Sequence, residues 1–198
     1  MHTTTLVLGS SSPFRRELLE RLMVPFEIAS PNIDETPLHN ESPIQLVERL
    51  AIEKAQAVAK NFPKSLIIGS DQVALHPHKG GTQIVGKPIT HENAVAQLKT
   101  ASGQSIRLYT GLALLNSATG KVQSEVIPFT VHFKTLSDTT IESYLRKEKP
   151  YNCAGSVRSE GLGIALFDRF EGDDPNALIG LPLIRLITML ENEQFPVL

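Results

Sequence analysis

A chain of 198 residues, 41% hydrophobic and 20% charged, has room for a real core and fits one domain (1–198) of an ordinary globular protein. The formal net charge of −2 lacks the basic excess of a protein that grips nucleic-acid polymers, but leaves open a local cluster for a small phosphorylated ligand. A lone cysteine, Cys153, excludes an internal disulfide and a cysteine-based zinc site. No apolar stretch nears the roughly 20 residues of a membrane span and no secretory pattern opens the chain, so a cytoplasmic protein without membrane partners is the expectation.

The first informative stretch is Leu6-Val7-Leu8-Gly9-Ser10-Ser11-Ser12-Pro13-Phe14-Arg15-Arg16. An apolar run reads as a buried strand, and Ser12-Pro13 then opens a helix over 13–23 as N-cap and first helical residue. Arg15 and Arg16 stand in the first turn, where the helix dipole is already positive and carboxylates are preferred. Either they point into solvent, or they join backbone N–H groups and serine hydroxyls in an anion site suited to phosphate. A short strand over 25–29 leads into a proline-bounded loop carrying Asp34 and Glu35.

Ser42-Pro43-Ile44-Gln45 reads as a capping box that starts a helix reaching residue 60. Its apolar stripe is Leu46, Leu50, Ala51, Ala55 and Val58, and Lys54 falls inside that stripe. Lys54 either snorkels outward or reaches an anion at the sheet edge. Residues 66–75 read as a strand with Asp71 and Gln72 between apolar runs. Polar groups there are costly without partners, so Asp71 either caps a turn or faces a cavity, a cation or a water to be activated.

His76-Pro77-His78-Lys79-Gly80-Gly81 reads as a solvated, flexible turn. The segment from Gly81 to Lys87 imitates a phosphate-binding P-loop, but Pro88 occupies the Ser/Thr position that such a loop needs for Mg²⁺. A helix over 90–101 follows, then strands over 106–116 and 122–133 joined by a short turn, which makes the sheet mixed. Ser137 caps a helix over 138–147 that Pro150 terminates. Residues 153–163 form a glycine-rich strand or loop with Cys153 as a small buried residue, and 164–170 read as a strand. Turn chemistry accounts for Asp173 and Asp174 without a cation, and an apolar helix over 183–190 closes the chain.

Taken in order, Ser10-x-Ser12-Pro13-x-Arg15-Arg16, Ile33-Asp34-Glu35, Arg49-Leu50-Ala51-x-Glu53-Lys54-Ala55, Gly69-Ser70-Asp71, Gly86-Lys87-Pro88 and Gly180-Leu181-Pro182-Leu183 resemble the Maf-like nucleotide pyrophosphatases over essentially the whole chain. The resemblance implies an α/β, two-lobed, elongated Maf/ITPase-like fold, with a mixed twisted sheet flanked by helices and a central cleft for a nucleoside triphosphate. It implies metal-dependent hydrolysis between the α- and β-phosphates, with Mg²⁺ or Mn²⁺ as the divalent cation, and a homodimer. Position by position, Asp71 matches the catalytic aspartate that activates water. Ser10, Arg15, Lys54 and Lys87 match the groups that hold the phosphate chain, and Glu35 with Asp71 the metal centre. Phe14, Gln72 and Glu160 stand where the thymidine/uridine triphosphate pyrophosphatases carry other residues, and that combination resembles the subgroup acting on 7-methyl-GTP, though tryptophan is common there at the Phe14 position. The alternatives are another base preference, or a nucleotide-binding regulator of cell division without required turnover; a dinucleotide-binding Rossmann module lacks its Gly-x-Gly-x-x-Gly.

Overall fold

The computed structural model describes residues 4–198; the first three residues of the expected 1–198 domain lie outside the described residues. Seven strands pair in the order β2-β1-β3-β5-β6-β7, with β4 paired to β3 off that path. They are β1 (Thr5–Gly9), β2 (Glu27–Ala29), β3 (Ser65–His78), β4 (Gly81–Val85), β5 (Ser105–Asn116), β6 (Lys121–Phe133) and β7 (Phe167–Glu171). β1 runs parallel to β2 and β3, whereas β3–β4 and β6–β7 are antiparallel, so the sheet is mixed as expected. Among the described residues six α-helices join them: α1 (Pro13–Glu20), α2 (Pro43–Ala59), α3 (His91–Ala101), α4 (Asp138–Glu148), α5 (Asn176–Ile179) and α6 (Leu183–Asn192). Among the described residues no helix is long and apolar enough to cross a membrane.

The chain divides into two compact units, and the division falls within β3, β5 and β6. The first comprises the described residues up to Gln72, with Tyr109–Ile127 and Asp174–Leu198. Its helices α1, α2 and α6 start where the sequence places them, whereas α5 falls where the sequence reads as a turn. Ser12 caps α1 by accepting from the Arg15 N–H, and Ser42 and Gln45 form the reciprocal capping box of α2. The capping box satisfies N–H groups that the first turn of a helix cannot pair internally. One face of α2 is buried through Leu46, Val47, Leu50, Ala51, Lys54, Ala55 and Val58.

That helix lies directly on strand backbone. Gly9 and Gly69 are cross-strand neighbours in the parallel β1–β3 ladder. A Cβ added at Gly69 would stand 2.0 Å from the Ala51 carbonyl oxygen, and one at Gly111 would stand 2.1 Å from that of Val47. Glycine is needed at both positions because any side chain would push α2 off the sheet. Around this contact Val7, Ala55, Val58, Ile67 and Leu115 form a fully apolar cluster.

The second unit comprises Val73–Leu108 and Pro128–Asp173. Here the structure corrects the sequence reading at several points. Residues 76–81 are not a solvated turn: β3 continues through His78 and pairs in register with β4, leaving only Lys79 and Gly80 at the tip. This hairpin also disposes of the P-loop imitation, since Gly81–Val85 is a strand. Of the strand or loop expected over 153–163 the structure shows the loop, with short 3₁₀ turns at Ala154–Ser156 and Leu162–Leu166, and β7 begins at Phe167 instead of 164. Cys153 is half-buried rather than buried. Phe129 and Phe133 of β6 pack ring against ring with Phe167 and Phe170 of β7, with centroids 5.1 to 5.7 Å apart.

His76 is 2% exposed in β3, its Nδ1 has no hydrogen-bond partner among the described residues, and burial pushes its pKa down to about 4. The folded protein therefore holds it neutral, while the unfolded chain takes up a proton between about pH 6.5 and 4. Two predictions follow from these packing facts. Gly69→Ala is expected to destabilise the chain by about 3 kcal/mol or more, lowering Tm by roughly 6–12 °C in thermal unfolding; an unchanged Tm would refute the tight contact. Urea unfolding should lose about 3 kcal/mol attributable to His76 as pH falls from 6.5 to 4, and His76→Leu should flatten that slope.

Candidate active site

The centre of the first unit is a buried ion pair. Lys54, on the sheet-facing side of α2, and Asp71, on β3, are 6% and 8% exposed, with Nζ donating to Oδ1 at 2.7 Å. Lys54 thus reaches inward instead of snorkelling, since it lies on the buried face of α2 and its ammonium meets two carboxylates there. Glu35 Oε1 approaches the same ammonium at 3.0 Å from the solvent side. The Arg15 guanidinium completes the cluster: its Nε donates to the Gly180 carbonyl at 2.8 Å, and it interacts electrostatically with Asp71 and Glu35.

Burial is the largest influence on Asp71 and raises its pKa; Lys54 and Arg15 oppose the shift and Glu35 adds to it. Burial likewise lowers that of Arg15, against the pull of Asp71 and Glu35. A carboxylate that is harder to ionise than usual is a stronger base once ionised, which suits proton abstraction.

Arg15 is held by a turn from the far end of the chain. Gly180 has φ +112°, a left-handed conformation that favours glycine, and its carbonyl accepts from both Arg15 Nε and the buried Ser70 hydroxyl, each at 2.8 Å. The turn is braced from beneath. Gln72 Nε2 donates to Thr110 Oγ1 and to the carbonyls of Ala177 and Leu178, and the Thr110 hydroxyl also donates to Ala177. Asp174, 1% exposed, accepts from the N–H groups of Asn176 and Ile184 and so caps the start of α6. The turn reading of Asp174 therefore holds. Sequence reasoning misses Thr110 altogether, names Ser70 only within the Gly69-Ser70-Asp71 motif and takes Asp174 only as a turn residue.

Ser10 is buried, and its hydroxyl accepts from the Ser12 N–H at 3.1 Å, which shapes the turn before α1. Phe14 is half-buried in the first turn of α1. The first unit thus brings Arg15, Glu35, Lys54 and Asp71 together, with Ser10, Phe14 and Gln72 on the same framework. Lys87 and Glu160 belong to the second unit. Lys87 is exposed in a loop whose neighbours are fixed from α3, by Gln97 on the Gly86 carbonyl and Asn93 on that of Pro88. The Glu160 carboxylate accepts from Arg158 Nε at 3.3 Å and from the Ser159 hydroxyl at 3.2 Å.

The donor set suits a divalent cation of the Mg²⁺ class. Glu35 and Asp71 direct two hard carboxylate oxygens to one point, where Lys54 supplies the positive charge. Among the described residues no group of three or more His, Cys, Asp and Glu could hold a metal on its own. Two carboxylates completed by substrate phosphates are the usual holding arrangement for Mg²⁺, whereas an all-protein cage is not.

Comparison with known proteins places the chain among relatives. The family model described as "Maf-like protein" matches residues 5–193. A protein of Nitrosococcus oceani named 7-methyl-GTP pyrophosphatase is 57% identical over 194 residues, covering 98% of this chain and 96% of its own. One of the same name from Colwellia psychrerythraea is 57% identical over 194 residues, covering 98% and 95%. Among solved structures, a HAM1 protein from Coxiella burnetii aligns with a TM-score of 0.45 and 16% identity over 66% of this chain and 73% of that one.

Because the folded pKa of Asp71 lies above its unfolded value, ionising it costs stability as pH rises between the two. Carbon-13 NMR of the Asp71 carboxyl should give a midpoint above the ordinary 3.8, and Lys54→Met should move it higher by removing the opposing charge. A midpoint at or below 3.8, or a downward move in the variant, would contradict this electrostatic account.

Proposed function

The chain belongs to the Maf-like protein family, and from that premise we propose that it is a nucleotide pyrophosphatase that hydrolyses 7-methyl-GTP to 7-methyl-GMP and diphosphate. The observation that carries the reading is the buried Asp71 carboxylate, raised in pKa and held between Lys54, Arg15 and Glu35. Two relatives that bear this activity in their names, each 57% identical over nearly the whole chain, support it.

In this mechanism Asp71 takes a proton from a water molecule as its oxygen bonds to the α-phosphorus. The bond from that phosphorus to the α-β bridging oxygen breaks, and diphosphate leaves with the electron pair. Charge accumulates on phosphate oxygens, so positioning and neutralisation carry most of the catalysis. Arg15 and Lys54 supply fixed positive charge, the Gly180 carbonyl orients Arg15, and Ser10 with the α1 N-terminus offers donors to phosphate. Lys87 is a further phosphate cation. A divalent cation held by Glu35 and Asp71, Mg²⁺ or Mn²⁺, supplies neutralisation of the phosphate chain when bound.

The base preference rests on chemistry at Phe14 and Glu160, with Gln72 acting through the framework. N7-methylation puts a positive charge on the guanine ring, which favours an aromatic face such as Phe14 by roughly 1–2 kcal/mol. Glu160 offers a carboxylate to the N1–H and N2–H₂ edge, which uracil and thymine do not present. The amide N–H groups of Gln72 are committed to Thr110, Ala177 and Leu178, so its contribution is to hold the Gly180 turn.

Purified protein assayed with 7-methyl-GTP, GTP, UTP and dTTP, each with Mg²⁺ or Mn²⁺, should release diphosphate and favour 7-methyl-GTP. Asp71→Asn should retain nucleotide binding and lose about 10²–10⁴-fold in kcat. Diphosphate from UTP or dTTP in preference would keep the reaction and discard the base assignment. Nucleotide binding without turnover would favour a regulatory protein instead.

A further inference from the structure

Arg49 belongs to the same motif as Lys54, yet nothing in the proposed reaction uses it. It stands one turn and a residue before Lys54 on α2, and it gathers an unusual number of bonds for a half-buried arginine. Its Nε and Nη2 grip Glu41 as a fork, at 2.6 and 2.8 Å, Nη1 meets Glu53 at 3.0 Å, and Nη2 also donates to the Thr36 carbonyl at 3.2 Å. Thr36 is the residue after Glu35. The loop between them is closed on itself: the Glu41 carboxylate accepts from the Leu38 N–H, the Leu38 carbonyl from the Glu41 N–H, and Asp34 from the Thr36 N–H. Two neighbouring cations on α2 thus hold two neighbouring points of one loop, Lys54 at Glu35 and Arg49 at Thr36 and Glu41.

The consequence concerns the Glu35 side chain, which is 57% exposed and has little packing to fix it. We propose that Arg49 is a positioning residue, mooring residues 34–41 on α2 and so setting where the Glu35 carboxylate stands beside Lys54 and Asp71. The inference rests on the reading of Glu35 as a holder of the divalent cation. A planar guanidinium can satisfy the Glu41 carboxylate and the Thr36 carbonyl together, which a lysine ammonium cannot do in the same geometry. Partners that orient a metal-holding carboxylate typically govern metal affinity by 10–100-fold while leaving the chemical groups in place.

The test compares Arg49→Lys and Glu41→Gln with the unaltered protein, and with Arg146→Ala as a control that loses only an exposed ion pair. The concentration of Mg²⁺ giving half-maximal turnover of 7-methyl-GTP should rise about 10-fold in both variants, with kcat at saturating Mg²⁺ within about threefold. Amide hydrogen exchange over 34–41 should quicken in both and stay unchanged in the control. A purely structural role would lower Tm without moving the Mg²⁺ dependence. Variants that match the unaltered protein in Mg²⁺ dependence and in exchange would overturn the proposal while the reaction stands. If the unaltered protein turns over no nucleotide, the proposed reaction falls, and unchanged exchange over 34–41 would then overturn the mooring as well.

Discussion

The 2.7 Å contact between Lys54 and Asp71 is the constraint on which the rest of the first unit depends. Two opposite charges less than a tenth exposed are held against a desolvation penalty of several kcal/mol per ion, so removing either leaves the other poorly compensated. Their meeting requires α2 to lie on the backbone of β3 and β5, which Gly69 and Gly111 permit. It also requires a second cation nearby, and Arg15 is brought there by a carbonyl more than 160 residues away in sequence. The Gly180 turn in its place needs Gln72, Thr110, Ser70 and Asp174, four polar side chains that otherwise would be expensive to bury. One ion pair therefore explains why a polar lattice runs through the sheet and the C-terminal segment.

Much of this was legible from local chemistry. Ser42 with Gln45 marks the cap of α2 in the sequence and Ser137 that of α4, and each bond is present. Such signals are readable because donor and acceptor lie three residues apart. The position of Lys54 in an apolar stripe, and of Asp71 and Gln72 in a strand, marked them as requiring partners without saying which. Gln72 shows the limit: its partners, Ala177 and Leu178, lie more than 100 residues away, and no spacing rule reaches that far. His76 was misread for a related reason. Prolines and glycines around it argue for a loop, but the β3–β4 ladder overrides local preference and carries the imidazole into the interior.

The segment after α4 was the least legible part. Its glycines suggested close approach of backbone to a ligand, whereas the structure uses Gly161 and Gly163 to pass the Glu148 carboxylate and the Arg158 carbonyl. Glu148 accepts from the Leu162 N–H and from Arg158, and Tyr144 accepts from the Arg158 N–H. This loop is thus fixed by side chains of α4, through bonds between polar groups that no hydrophobic period encodes.

The glycine seat under α2 has a consequence for how such a protein can be altered. Helix and strand meet there backbone to backbone, so no rotamer change can absorb a shift, and the spacing between the two charged residues behaves as a fixed dimension of the scaffold. Directed evolution of a new substrate preference would therefore gain little from libraries over the helix and its strand. The first turn of α1 around residue 14 and the loop around residue 160, away from that backbone contact, are where variation can be tolerated and selected.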